Sequence, residues 1–302
     1  MKVVSSESII LRQRDFKERD RMVTFLARDR GKLSGIARGA KVITGRTVGA
    51  CEPFTHCTVF FVEKAAGGLV QIRKVDPLPP HLFLVSDYDR FLLFTYFTEW
   101  VEQSSISAGD SEAFFTLLSR GLRRAARLPR EALPDLRLEF ELDLLGVLGL
   151  QPEWKRCVTC GAPIFGRTRQ GIRPRRAERH RFDVQEGGVR CPDCPGSGRA
   201  FDLAPATLSQ FAAWRAAAVE RQADEAGAQE AQPGAPALAP LLGQDSAGPD
   251  GHEPGLDGPA RAELDRALRA HLRHHLERQP KSLPLVDEFE HGLDAREPAS
   301  RI

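Results

Sequence analysis

Four of the six cysteines in this 302-residue chain are paired: Cys157 with Cys160 in CVTC, and Cys191 with Cys194 in CPDC. Thirty residues separate the two C-x-x-C pairs. In each pair, two sulfurs can reach one ion from a tight turn. Gly161 and the Pro195-Gly196 step supply the turn residues that such knuckles favour. Four thiolates around Zn2+ complete a tetrahedron and leave no position open for water, so the chemistry is structural rather than hydrolytic. Ligand type selects one zinc ion, with an iron–sulfur cluster as the alternative. Cys51 and Cys57 are unpaired in sequence, and in a reducing compartment they read as core packing.

The second candidate chemistry is phosphate binding. The stretch GAKVITGRT looks like a damaged nucleotide loop. Gly39 and Gly45 enclose five residues rather than four, and Arg46 stands where the motif needs Lys. From Arg30 to Arg46 there are five basic residues and no acid. Upstream, Arg12, Arg14, Lys17, Arg19 and Arg21 gather around one turn, interspersed with Asp15, Glu18 and Asp20. Lys32, Arg38, Lys41 and Arg46 extend the set. Such cations hold a polyanion through counter-ion release, and Phe16 is the aromatic expected to be exposed for base stacking. Eight arginines, Arg167, Arg169, Arg173, Arg175, Arg176, Arg179, Arg181 and Arg190, lie between the cysteine pairs. They read equally well as a phosphate contact or as a solvated loop.

Charge is uneven along the chain. Residues 1–75 hold 15 Lys+Arg against 7 Asp+Glu, a net of +8, whereas residues 220–260 hold eight acids and one Arg. The basic end implies an acidic partner. No apolar run opens the chain or reaches membrane-spanning length, so the expected location is cytoplasmic. Enzymatic signatures are missing: no G-x-S-x-G, no H-E-x-x-H, no intact P-loop. His271 and His275 are four apart on a helix, with a solvated helix face as the favoured reading. Glu139, Glu141 and Asp143 sit on alternate positions, a poor geometry for a shared acid/base site. The expectation is a protein without catalytic residues.

These groups need a scaffold. SIIL, MVTFLA, LSGIA, CTVFFV and LVQIRKV are short, β-branched and separated by turn signals. Five strands in about seventy-five residues suit a small barrel, either an OB-fold or an SH3-like one. After DPLPPH the pattern turns helical. Helices are expected over Tyr88–Val101 and Ser111–Arg127, and from Pro134 to a stop at Gly149. Further helices are expected over Leu203–Val219, with Leu208, Phe211 and Val219 inward, and over 261–278, with Leu264, Leu268, Leu272 and Leu276 as its stripe. Residues 223–259, rich in Ala, Pro, Gly and acid, read as a disordered insert.

Together these residues resemble the RecO family of bacterial recombination mediators. The carrying motifs are Asp15-Phe16-Lys17-Glu18-Arg19-Asp20-Arg21, Gly31-Lys32-Leu33, Arg38-Gly39-Ala40-Lys41 and Glu52-Pro53-Phe54. They continue in LLGVLGLQPEWKRCVTCG, FDVQEGGVRCPDC and LRAHLRHHLERQPKSLPLV, and cover most of the chain. Three features depart from the family pattern: Lys17 where Gly is usual, a longer and more Arg-rich segment between the cysteine pairs, and the acidic insert. The resemblance implies an α+β multidomain chain, with an N-terminal five-stranded OB-fold β-barrel (1–79) followed by a mainly α-helical domain (80–155, 201–222 and 260–302). That domain carries a four-cysteine, zinc-ribbon-like module (156–200). It also implies binding of ssDNA and dsDNA, annealing of complementary strands, and work with RecR and SSB to load RecA. The competing reading is an RNA-binding OB-fold/zinc-ribbon protein of translation or rRNA processing.

Overall fold

The computed structural model describes residues 2–41, 50–63, 68–78, 87–168, 171–196, 198–230 and 255–294. Five strands form first: β1 (Val4–Phe16), β2 (Asp20–Ala27), β3 (Gly31–Ala37), β4 (His56–Val62) and β5 (Val70–Pro77). They close into a barrel in the order β1-β2-β3-β5-β4, and β1 completes the ring against β4. A meander would set β3 beside β4. Here the chain crosses over, and β3 pairs with β5 in parallel. This is the Greek-key closure of an OB-like barrel, which decides between the two small barrels left open by the sequence. Gly35 permits the crossover: a Cβ there would stand 2.7 Å from the Val70 side chain and 3.0 Å from its carbonyl oxygen.

The two-residue period of a strand fills the barrel. Val23, Phe25 and Ala27 of β2 face Cys57, Val59 and Phe61 of β4 across one core. Phe25 meets Phe61 edge to face at 5.6 Å. Cys51 and Cys57 belong to this core, and burial pushes both thiols up, Cys51 to about 11. Strand β1 serves two neighbours. Its first half pairs with β4 and its second half with β2, and a register shift between Ile10 and Arg12 bends it from one to the other.

Among the described residues six α-helices follow: α1 (Tyr88–Gln103), α2 (Ser111–Arg127), α3 (Leu133–Val147), α4 (Pro205–Glu230), α5 (Gly258–His275) and α6 (Leu283–Asp294). The chain divides into two compact units. In the first, α1 and α2 pack on the barrel. Phe54 meets Phe91 and Phe94 of α1 at 5.8 and 5.6 Å. Arg28 of the barrel joins Glu112 of α2 and Glu7 of β1. Helix α6 belongs to this unit too: Ser282 donates from its backbone N–H and its hydroxyl to Glu99, and Arg130 lies over the Phe289 ring.

The second unit packs α3, α4 and α5 with the cysteine module. Arg137 of α3, 0% exposed, pairs with Glu141 at 2.7 Å and Asp265 at 2.5 Å, and Arg269 joins Asp265 at 2.7 Å. Glu139 and Asp143 turn the other way, toward Arg221 and Arg215 of α4. The expected inward set of α4 holds at Leu208 and Phe211, but Val219 is 58% exposed. Past the second turn, the inward positions are Trp214 and Ala218 instead. The helix also runs to Glu230, into the stretch read as an insert. At the other end of that stretch Leu256 is buried and the Asp257 side chain caps α5. Residues 231–254 lie outside the described residues.

Candidate metal centre and basic hairpin

The segment between the cysteine pairs is not one loop. It folds as the hairpin β6 (Phe165–Thr168) and β7 (Gly171–Pro174), then β8 (His180–Asp183) and β9 (Gly188–Arg190). Strand β10 (Ala200–Leu203) joins β8 on its other edge. The first knuckle docks directly on β9: Val158 N–H donates to Val189, and Val189 N–H donates to Glu153. That docking draws the second pair of cysteines up to the first. The four sulfurs lie within 4.8 Å of one another. Cys157 and Cys194 are 3.8 Å apart, as are Cys160 and Cys191. Burial raises the Cys157 thiol, but backbone N–H groups of Cys160, Cys191 and Thr159 point at its sulfur and outweigh this. The result is a value lowered to about 6, whereas hydrogen bonding to the neighbouring sulfurs pushes the Cys194 thiol up. The donor set can hold one metal ion.

Arg190 underpins the second knuckle. It is 4% exposed, ion-paired to buried Asp183, and donates to the Pro195 carbonyl at 3.0 Å. Asp183 also accepts from the N–H groups of Gln185 and Glu186. A Cβ at Gly196 would fall 1.2 Å from an Arg190 nitrogen, so the glycine makes room for the guanidinium. The sequence placed Arg190 among the phosphate candidates or on a solvated loop. It is neither, because its charge is buried beneath the cysteines.

In the barrel, β1 and β2 meet at a three-residue turn, with Phe16 paired to Asp20. Lys17 takes φ 58°, the left-handed conformation that glycine adopts without strain. Lys41 ties the turn from the β3 side. Its N–H donates to Arg19, and its ammonium donates to the Lys17 carbonyl and pairs with Asp15, both at 3.0 Å. Gly39 N–H donates to Asp20. The residues after β3 are thereby fastened to the hairpin tip.

The nine expected phosphate contacts sort into groups. Arg14, Lys17, Arg19 and Arg38 are exposed around the tip, with no carboxylate paired to them among the described residues. Lys17 rests over the half-buried Phe16 ring at 5.5 Å. Arg12 pairs with Glu102, Arg21 with Glu52 and Lys41 with Asp15. Lys32 departs from expectation: its ammonium donates to the carbonyls of Glu102 and Ser104 at the end of α1. It neutralises a helix C-terminus rather than facing solvent. Arg46 lies outside the described residues.

His271 is also placed differently from the solvated helix face expected. It is 2% exposed, bonds the Leu150 carbonyl at 3.0 Å and meets Phe182 edge-on. The same aromatic layer continues through Trp154 to Phe211. The signal for this role was present in the sequence, since His271 falls among Leu264, Leu268 and Leu272 on the helix face that packs inward.

Comparison with known proteins agrees with these features. The family described as "Recombination protein O N terminal" matches residues 1–81, and "Recombination protein O C terminal" matches residues 85–232. A DNA repair protein RecO of Roseiflexus sp. (strain RS-1) is 30% identical over 300 residues, covering 99% of this chain and 90% of its own. One of Anaeromyxobacter sp. (strain K) is 32% identical over 287 residues, covering 95% and 96%. One of Symbiobacterium thermophilum is 29% identical over 289 residues, covering 95% and 98%.

Proposed function

This chain belongs to the RecO family of DNA repair proteins, and from that premise we propose that it is a recombination mediator that works without nucleotide hydrolysis. It binds single- and double-stranded DNA and anneals complementary strands. With RecR, it promotes loading of RecA onto strands coated with SSB. Its place of work is the cytoplasm, at the nucleoid. Among the described residues no helix is long and apolar enough to cross a membrane.

The observation that carries this reading is the barrel's hairpin tip, where four cations stand without acidic partners among the described residues. An evenly charged backbone suits such a set, and phosphate contacts there hold a strand without reading its sequence. Annealing then draws its driving force from base pairing and stacking, so no hydrolysis step is needed. Arg14, Lys17, Arg19 and Arg38 are the contacts proposed, with Phe16 as a stacking surface.

The cysteine centre holds one zinc ion in this reading. Tetrahedral Zn–S bonds of about 2.3 Å give sulfur–sulfur edges of about 3.8 Å, and both close sulfur pairs are separated by 3.8 Å. When bound, the ion supplies a cross-link between the knuckles, and the residues around it do no chemistry. The test is annealing of two SSB-coated complementary oligonucleotides without ATP, with metal content measured on the same sample. Annealing above the spontaneous rate with about one zinc per chain is expected. Tighter binding to RNA than to ssDNA at equal salt would instead assign the protein to RNA.

A further inference from the structure

Two arginines between the cysteine pairs have no part in the function proposed above. Their neighbours are engaged: Arg190 is buried, Arg179 and Arg181 face Glu263 and Asp202, and Arg176 pairs with Asp193. Arg173 and Arg175 are exposed, and no carboxylate pairs with either among the described residues. Among the described residues, the one hydrogen bond from the Arg175 side chain runs from Nε to the Phe165 carbonyl at 3.3 Å, which leaves its two Nη groups for another acceptor.

Backbone pairing brings these arginines beside a lysine. Arg156 bridges Pro163, and Ile164 N–H donates to Lys155, so residues 155–156 run antiparallel beside 163–164. On the other side Phe165 pairs with Pro174, Gly166 pairs with Arg173, and Arg175 N–H donates to Ile164. The backbones of Lys155, Ile164 and Arg175 therefore run side by side, with Ile164 buried between the two cations, and the pairing of Gly166 with Arg173 sets Arg173 on the side of Gly166 that Arg175 covers. Arg175 arches over Gly166, with its Cγ 3.3 Å from where a Cβ would be. Lys155 is exposed. Glu153, the acid nearest to it in sequence, has an oxygen occupied by the N–H groups of Lys155 and Arg156.

We propose that Lys155, Arg173 and Arg175 form a second phosphate-binding face, on the metal module, for the backbone of a DNA strand. The inference rests on the DNA-binding reading above and adds a site separate from the barrel. Guanidinium forks match phosphate oxygens two at a time. A row of exposed cations suits a polymer of regularly spaced anions. Two faces on one chain give two strands a place each, which annealing requires.

The test uses the full chain and a labelled oligothymidylate titrated between 50 and 200 mM salt. Each lost phosphate contact lowers the slope of log K against log salt by about 0.7 on a single strand. Arg173→Ala with Arg175→Ala should therefore lower it by roughly 1.4, with metal content and melting temperature unchanged, and the Arg→Lys pair should restore it. Lys155→Ala, outside the hairpin, should give its own drop of about 0.7. The control is Arg19→Ala with Arg38→Ala in the barrel. If the wild type and the control behave as expected but neither module variant changes the slope, this face is overturned and the barrel reading stands. If the wild type fails to bind DNA at 50 mM salt, both readings fall. Loss of poly-glutamate binding with an unchanged DNA slope would assign the face to an acidic protein and overturn the proposal.

Discussion

The Lys41 ammonium donates to the carbonyl oxygen of Lys17 at 3.0 Å, so one basic residue of the hairpin tip fixes the backbone of another. Lys17 is held at φ 58°, a conformation that costs a non-glycine residue about 1–2 kcal/mol. The cationic tip is thus built around a residue strained into a conformation that glycine adopts freely.

Lys17→Gly should accordingly stabilise the first unit by about 1 kcal/mol. The same change removes one exposed cation and should weaken DNA binding at low salt. Urea denaturation monitored by circular dichroism checks the first effect. A glycine variant that unfolds at lower urea than the wild type would show that the turn carries no strain.

Binding and stability should separate between Lys32 and the exposed cations. Arg19→Ala with Arg38→Ala should lower the salt slope by roughly one to two units with an unchanged melting temperature. Lys32→Ala should leave the slope as it is and lower the melting temperature, because it uncaps α1. The reverse pattern would place Lys32 on the nucleic acid.

Arg190→Ala should destabilise the metal module by about 3 kcal/mol, since removing one partner leaves Asp183 buried and unpaired. Metal affinity should fall with it, because the Pro195 carbonyl loses its donor beside Cys194. Competition with a chromophoric chelator measures this. Equal zinc retention by the variant and the wild type would remove Arg190 from the support of the centre.

Glu7 links acid stability to the contact between barrel and helix. Its hydrogen bond to His56, aided by Arg28, holds the carboxyl down from 4.5 to about 2 despite burial. A depressed carboxyl contributes stability that is complete above the unfolded value and is lost as pH falls through the folded one. Glu7→Gln should therefore melt below the wild type at pH 7, and the gap should close between pH 4.5 and 2. A gap that stays constant over that range would show that the ion pairs of Glu7 do not contribute.

The barrel was legible in the sequence because burial on one face imposes a period of two on residues such as Val23, Phe25, Val59 and Phe61. The metal ligands were legible from spacing alone. Individual cations were less so. Whether an arginine is free or paired depends on carboxylates brought from far along the chain, as Glu102 is to Arg12, and no local pattern records that. Strand order likewise depends on the pairing of Gly35 with Val70, which is remote in sequence. Helix α6 was missed although Ser282 and Pro284 are helix-start residues. Its buried apolar positions, Leu283, Val286 and Phe289, are few and interleaved with acids.

Arg137, Glu141, Asp265 and Arg269 form an electrically neutral quartet between α3 and α5. Apolar side chains tolerate a helix sliding along its neighbour, but this quartet does not. A shift by one turn, about 5.4 Å, would leave ions facing hydrocarbon, at a cost of several kcal/mol for each. The quartet therefore acts as a ratchet tooth that selects one alignment of α5 on α3. Substituting all four with aliphatic residues should preserve or raise the melting temperature while multiplying the methyl resonances of the second unit. A single sharp set of peaks in that variant would assign the alignment to the leucine stripe instead.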